Sequence, residues 1–313
     1  MTRTRLVIGC GYLGRRVARR WLAEGGAVHA LTRSPERAED LRRAGIAPHV
    51  GDVTNPASLG DLPEVDTLLY AVGLDRSTGQ SQRDVSVGGL ANVLPRVAGR
   101  VRRAIYISST SVYGQDGGEW VDESSECRPE SDNGKVCLEA EGVFRVAFPA
   151  GNILRLAGIY GPGRLVARIE ALRAGKALEG NPDAWLNLIH VDDAVAAVLA
   201  CERRGADGAT YVVADNKPCP RREYYSVLAA MIGAPPPSPP LARGGQEGSR
   251  GEHPRDQIET EARQGEGESG RQGDSARGAL NKRCSNRRMR DELQVVLRFP
   301  NMRIGLPDAL SRR

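Results

Sequence analysis

The chain has 313 residues, 40% hydrophobic but only 4% aromatic, and a net charge of +5 at neutral pH. That length is enough to bury a sizeable core, and the basic residues are interspersed with nearly as many acids. The basic clusters Arg15, Arg16, Arg19, Arg20 and Lys282, Arg283, Arg287, Arg288, Arg290 lack interleaved aromatics. They read as solvated helix faces, and no nucleic-acid partner is expected.

The predicted elements begin at once. Leu6, Val7 and Ile8 form a short buried-strand pattern, and Gly9, Gly11 and Gly14 then spell G-x-G-x-x-G before a helix over 15–24. In such a strand–turn–helix the first glycine permits the tight turn. The second lets backbone approach a pyrophosphate, and the third lets the helix pack close to the sheet. A dinucleotide site built from Gly9, Gly11, Tyr12, Leu13 and Gly14 is therefore expected. A strand over 27–31 follows, then a helix over 35–44 with Ser34 as N-cap. Strands are predicted over 46–50 and 67–72, separated by a strong loop signal at 51–56. Next come a helix over 84–99, a strand over 104–108 ending in hydroxyls, a helix over 135–148 and a strand over 152–156. Helices over 165–174 and 192–203 (N-cap Asp192), a strand over 210–213 and a helix over 221–232 complete the regular part.

This βα alternation predicts an α/β fold, a Rossmann-type doubly wound parallel sheet with a small C-terminal α/β cap subdomain. Residues 1–160 are assigned to the Rossmann part, with a returning strand near 208–214. The substrate cap is drawn from 161–190 and 215–313. Five prolines lie within 235–240, and no aromatic residue occurs between 226 and 298. Residues 235–279 accordingly read as a disordered insertion, too poor in apolar surface to offset ordering entropy. The six cysteines show no C-x-x-C pair and no Cys/His ligand spacing, so neither a metal site nor a disulfide scaffold is expected. No apolar run can span a bilayer and the N-terminal stretch lacks a signal core, so the expectation is a cytoplasmic protein without a membrane partner.

NAD-specific sites usually carry an acid at the end of the second strand, where it bonds the ribose hydroxyls. Here that position reads Thr32-Arg33-Ser34. A guanidinium matches the 2′-phosphate of NADP, which is therefore preferred over NAD. Asp52 and Val53 are expected to flank the adenine, and Ala71, Val72 and Gly73 to follow the fourth strand beside the cofactor.

Four further stretches occur in the order and spacing of the extended short-chain dehydrogenase/reductase family, the NAD-dependent epimerase/dehydratase group. Ser108-Ser109-Thr110-Ser111-Val112-Tyr113-Gly114 resembles its S-S-x-x-V-Y-G, and Leu154-Arg155 through Tyr160-Gly161-Pro162-Gly163 resembles its L-R-x-x-x-x-Y-G-P-G. Asn187-Leu188-Ile189-His190-Val191-Asp192-Asp193 resembles N-x-I-H-V-D-D, and the stretch from Ser285-Asn286-Arg287 to Gly305-Leu306 looks like its closing substrate segment. Gly-Cys-Gly-Tyr-Leu-Gly at 9–14 and Asn281-Lys282-Arg283 look most like the atypical, YeeZ-like branch.

The resemblance implies a Y-x-x-x-K pair after the fifth strand, whose lysine holds the nicotinamide ribose and lowers the tyrosine's pKa. Spacing to Glu139 puts Lys135 at the lysine and Ser131 at the tyrosine, whereas a register shifted by two would place Asn133 and Cys137 there. The first register is preferred. An aliphatic hydroxyl is a far weaker acid than a phenol, so Ser131 is a poor proton relay. Ser109 and Thr110 are the candidates for the carbonyl-polarising hydroxyl, and a role in satisfying strand-end backbone competes with it about equally. Tyr113 and Tyr160 read as structural, though either could lie near the nicotinamide and supply a phenol. Arg164, Arg168, Trp185 and Arg303 are cap-side pocket candidates.

The catalytic set is thus Ser109, Thr110, Ser131 and Lys135, with Lys135 also counted among the cofactor contacts. The implied activity is that of an NAD(P)-dependent oxidoreductase or epimerase-like protein acting on a small polar or sugar-derived substrate. The alternative is a catalytically weak, NAD(P)-binding redox sensor or assembly factor. Related enzymes often pair through the helices here predicted over 84–99 and 135–148, which would make a homodimer.

Overall fold

The computed structural model describes residues 2–178, 180–237 and 280–311. The opening strand, β1 (Thr4–Ile8), sends Leu6 and Ile8 into one core and Val7 into another, which is why it reads as a continuous apolar run. It is followed by α1 (Gly14–Ala23), β2 (Ala27–Thr32), α2 (Pro35–Arg43) and β3 (Ala47–Val50). A second run comprises β4 (Val65–Tyr70), α3 (Gly89–Val97), β5 (Val101–Ser109), the short β6 (Trp120–Val121), α4 (Asp132–Ala147) and β7 (Asn152–Leu156). Then come β8 (Gly158–Tyr160), α5 (Val166–Arg173), β9 (Trp185–Leu186), β10 (Leu188–His190), α6 (Val191–Arg204) and β11 (Thr210–Val213). The chain closes with β12 (Cys219–Pro220), α7 (Arg221–Met231), β13 (Arg283–Cys284), α8 (Arg287–Leu293) and α9 (Met302–Ser311).

Seven strands form one parallel sheet in the order β11-β7-β5-β4-β1-β2-β3. Helices cover both faces. One core joins α1 and α6 to the sheet through Val17, Trp21, Val198 and Tyr211. The other joins α3 and α4 through Leu90, Val93, Ala140 and Phe144. The strand order reverses between β1 and β4, and in such sheets ligands bind outside the carboxyl ends of the strands at that point.

A separate apolar cluster gathers Tyr160, Leu172, Leu188, Tyr224, Leu228 and Leu306 from β8, α5, β10, α7 and α9. The C-terminal stretch returns to the body. Asp193 accepts the backbone N–H groups of Arg298 and Phe299 at 2.8 and 2.9 Å, and β13 pairs with β6. Residues 238–279, most of the segment expected to be disordered, lie outside the described residues. Among the described residues no helix is long and apolar enough to cross a membrane.

Most predicted elements recur with end shifts of a few residues, and two differences have clear causes. The two-residue strands β6, β9, β12 and β13 are too short to carry any periodicity. At the start of α6 the N-cap is His190, not Asp192. The His190 ring accepts the Asp192 N–H at 3.2 Å, so Asp192 falls in the first helical turn, where its charge meets the positive end of the helix.

One buried polar node clamps this architecture. Glu202, near the end of α6, accepts hydrogen bonds from Arg5 Nε (2.7 Å), Trp21 Nε1 (2.8 Å) and Thr67 Oγ1 (2.9 Å). It thereby links α6 to β1, α1 and β4. Removing one partner of a buried ion pair strands the other charge, at a cost of about 3–5 kcal/mol. Glu202→Leu should therefore destabilise the fold by that amount, read as a lowered urea midpoint with unchanged slope.

Candidate cofactor and active site

A cavity of about 1370 Å³ opens at the carboxyl ends of β1, β2 and β4. Three glycines shape the turn at its floor for three separate reasons. Gly9 has a left-handed φ of 92°, and a Cβ there would collide with the Ala71 backbone on β4's exit. A Cβ on Gly14 would strike the Gly9 carbonyl. Gly11 is different, because a Cβ on it would meet nothing within 4 Å. Its lack of a side chain leaves space on the cavity side, as close approach by a ligand requires.

The two helices beside this floor begin in opposite ways. At α2 the Ser34 side chain accepts the Arg37 N–H and Glu36 sits in the first turn, so the positive end is satisfied from within. At α1 the N-cap is Leu13, with no side-chain cap and no acid in the first turn. The Arg15 and Arg16 N–H groups bond the Gly11 and Leu13 carbonyls at 3.0 Å, so no side chain competes with an anion for this positive helix end, as at a pyrophosphate-binding turn. Arginines strengthen it: the Arg16 and Arg164 guanidinium groups lie over the Tyr12 ring, 4.1 and 4.5 Å from its centroid, and all three residues line the cavity.

Of the expected cofactor residues, Gly9, Gly11, Tyr12, Leu13, Thr32, Arg33, Asp52, Val53, Ala71, Val72 and Gly73 line the cavity. Gly14 lies beneath the floor, and Ser34 is occupied as a helix cap. Arg33 reaches Asp75 at 3.0 Å, and hydrogen bonds from Ser77 together with Arg33 hold that carboxyl below its ordinary range. The arginines of α1 are a correction. Arg15, Arg16, Arg19 and Arg20 line the cavity wall and are not merely a solvated face. Their i, i+4 spacing from the glycine turn was the available signal. Cys10 also lines the cavity, but burial pushes its thiol up to about 11, which leaves it un-ionised near neutrality.

The expected catalytic hydroxyls are tied into local structure. Ser109 Oγ accepts the Ser111 N–H at 3.1 Å, and Thr110 is buried against the Cys284 thiol. Ser131 caps α4 by accepting the Gly134 N–H at 3.2 Å. Lys135 faces outward, with its side chain 62% exposed and its ammonium 3.9 Å from Asp132. It shares an exposed stripe of α4 with Glu139, Gly142 and Val146, while Gly134, Glu141 and Phe144 make up the buried stripe. None of Ser109, Thr110, Ser131 and Lys135 lines the cavity.

The phenols have not moved in to compensate. The Tyr113 hydroxyl accepts from Arg155 Nη1 at 2.8 Å inside the core, and burial pushes its ionisation upward. Tyr160 is fully buried beneath Gly305, and burial raises it likewise. Tyr12 is the one tyrosine lining the cavity, and its hydroxyl donates to the Pro162 carbonyl at 3.0 Å.

The model of the NAD dependent epimerase/dehydratase family matches residues 5–214, two-thirds of the chain. The chain belongs to that family. Protein YeeZ of Escherichia coli (strain K12) is 29% identical over 239 residues, covering 74% of this chain and 84% of the relative. A solved structure described as a putative NAD-dependent epimerase/dehydratase from Methylobacillus flagellatus is 28% identical at a TM-score of 0.72, covering 99% and 98% of the two chains. The Bordetella bronchiseptica enzyme WbmG in complex with NAD shares the fold, with a TM-score of 0.73 at 16% identity and coverage of 99% and 94%.

On α4 of this epimerase/dehydratase-family chain, burial separates the two glutamates. Glu141, not Glu139, is the acid held inside. It accepts from Ser108 Oγ at 2.6 Å and from Arg155 Nε and Nη2 at 2.9 and 2.7 Å. Glu139 pairs on the surface with Arg83. Glu141 follows Asn133 and Cys137 at the same spacing at which Glu139 follows Ser131 and Lys135. Asn133 Nδ2 donates toward Ser111 Oγ at 3.4 Å, and Cys137 also bonds Ser111. Periodicity alone could not separate two glutamates on one helix, because only burial distinguishes them.

The chain is of oxidoreductase/epimerase type, and its cavity fits an NAD-type dinucleotide: an open glycine, an uncapped helix start and a basic wall. Gly11→Ala should leave the melting temperature nearly unchanged yet weaken NADH binding at least tenfold, about 1.4 kcal/mol, in a fluorescence titration. Unaltered affinity would mean that no ligand approaches Gly11. Lys135→Ala, by contrast, should keep NADH affinity within roughly twofold, as expected of an exposed residue outside the cavity.

Proposed function

We propose that this protein binds NADP(H) in preference to NAD(H) and performs hydride chemistry on a small polar, sugar-derived substrate without a tyrosine relay. The observation that carries the cofactor preference is the pair Arg33 and Arg37 on the cavity wall at the end of β2 and start of α2. Arg33 is engaged with Asp75, but both side chains are more than a third exposed. Such pairs contribute little, so a 2′-phosphate can take the guanidinium from Asp75 at small cost. The bound dinucleotide supplies a hydride donor or acceptor.

The chain's own contribution at the reacting end is modest. Ile107 and Ile159 wall the cavity and exclude water there. Ser109 still has its hydroxyl proton to donate, because its backbone bond uses only the oxygen. With Lys135 turned outward and the buried Lys282 ammonium spent on the Tyr113 carbonyl, neither lysine lines the cavity to lower the pKa of such a group, so a proton must come from a neutral hydroxyl, water or the substrate itself. That same absence favours a second reading, a cofactor-holding redox sensor or assembly factor that turns over weakly. We also expect two copies to pair through the outward faces of α3 and α4, where Val146 is exposed.

Arg33→Ala should weaken NADPH binding at least tenfold and NADH binding hardly at all, about 1.4 kcal/mol of discrimination. Equal losses for the two cofactors would end the NADP assignment. NADP+ reduction with a panel of UDP-sugars, together with NADPH oxidation by small ketones, separates the two functions. Turnover supports the enzyme, and tight NADPH binding with no turnover on any of them supports the sensor.

A further inference from the structure

A second cavity, of about 460 Å³, lies at the opposite edge of the sheet, beyond β11, and shares no lining residue with the cofactor cavity. Its volume falls in the roughly 300–1,000 Å³ range of small-molecule sites. The walls come from three separate parts of the chain: Trp120 on β6, Asp215 and Asn216 after β11, and Ser285, Asn286 and Arg290 around α8.

The aromatic wall is built as a platform. Trp120 is 55% exposed, and the Arg283 guanidinium lies 5.1 Å from its ring centroid and 5.2 Å from that of Trp185. Arg283 is itself held by β13–β6 pairing opposite Trp120 and by a 2.8 Å bond from its Nε to the Gly118 carbonyl. An exposed indole braced from behind is a costly surface to leave in water, and such faces mark recognition sites for the C–H faces of rings.

Hydrogen-bonding capacity left over in the same cavity is equally specific. Asp215 is only 2% exposed, and its Oδ1 caps the Lys217 N–H at 3.0 Å while Oδ2 has no hydrogen-bond partner among the described residues. A buried acceptor left unpaired costs about 1–3 kcal/mol unless a ligand or water supplies a donor. Burial raises that carboxyl to about 7, so it titrates around neutrality and can bond a hydroxyl in either sense. Asn286 spends its Nδ2 on the Ala214 carbonyl and Asn216 Oδ1, at 2.8 and 2.9 Å. That leaves Asn286 Oδ1 as an acceptor and Asn216 Nδ2 as a donor. Ser285 Oγ accepts the Arg287 N–H and keeps its own proton to give. Arg287 is paired with Asp291, but Arg290 has no carboxylate partner among the described residues.

From the braced indole, the unpaired donors and acceptors and the unpaired guanidinium together, we infer that this edge cavity is a second ligand site, one that takes a sugar phosphate. The pyranose ring stacks on Trp120, its hydroxyls bond Asp215, Asn216 and Asn286, and its phosphate meets Arg290. The site is independent of the cofactor reading, since it uses none of those residues.

The test follows the indole N–H signals of the full chain, labelled with ¹⁵N, on titration with glucose 6-phosphate. The chain has three tryptophans, and Trp120→Phe assigns the relevant peak. A saturable shift at Trp120 with Trp21 unmoved is expected, weakened at least tenfold by Arg290→Ala or Asp215→Asn, with NADH affinity unchanged in all three variants. Arg290 is exposed, so its variant keeps the test valid should Asp215→Asn misfold. Absence of a saturable shift, displacement of glucose 6-phosphate by NADH, or an equal shift with inorganic phosphate alone would each overturn the proposal. Indifference to Arg290→Ala would do the same.

Discussion

The bidentate contact of Arg155 on β7 with Glu141 on α4 is the constraint on which the active-site question turns. Burial opposes the charge on Arg155, but the Glu141 carboxylate and the Tyr113 hydroxyl hold the guanidinium ionised. Ser108 at the end of β5 adds a third bond to the same carboxylate. A helix pinned by a buried charge pair to two neighbouring strands cannot rotate without leaving a charge unpaired. The pair therefore dictates which side chains of α4 look inward. Cys137 and Glu141 do, and Lys135 does not. It also accounts for the fate of Tyr113, whose hydroxyl is consumed in the core by the same arginine.

Against that rigid catalytic side, the cofactor side is assembled from things left undone. Helix α1 begins without a capping side chain or an acid, while α2, one crossover away, begins with both. The difference has a plain electrostatic meaning: one positive helix end meets no side-chain anion of its own and the other is neutralised internally. Gly9 and Gly14 serve the fold itself, since added Cβ atoms would collide with protein backbone, whereas Gly11 faces open space. A dinucleotide-binding turn is thus separable into residues that make the turn and a residue that admits the ligand.

The edge cavity follows the same logic from the opposite direction. There, the Asp215 carboxylate keeps one buried oxygen without a partner among the described residues, in a cavity that an exposed indole also lines. Its parts meet only because the C-terminal stretch returns across the body, with β13 beside β6 and the Asp193 carboxylate holding the backbone at Arg298 and Phe299. Three segments more than sixty residues apart contribute to one concavity, and none carries a local pattern that names it.

What could be read from the amino-acid order was whatever local rules govern. The buried-strand runs, the glycine turn, the Ser34 cap and the βα alternation specified the doubly wound sheet and the cofactor-facing loops. Each depends on backbone sterics or on periodicity within a dozen residues. The closing motif resemblances added the family. Tertiary structure alone decided which of two glutamates on α4 is buried, that Lys135 faces water and that the α1 arginines wall the cavity. It also decided that His190, rather than Asp192, caps α6, and that one cavity opens at the middle of the sheet and another beyond β11. These outcomes rest on burial and on charges paired across more than ten residues of separation, and a linear pattern records neither.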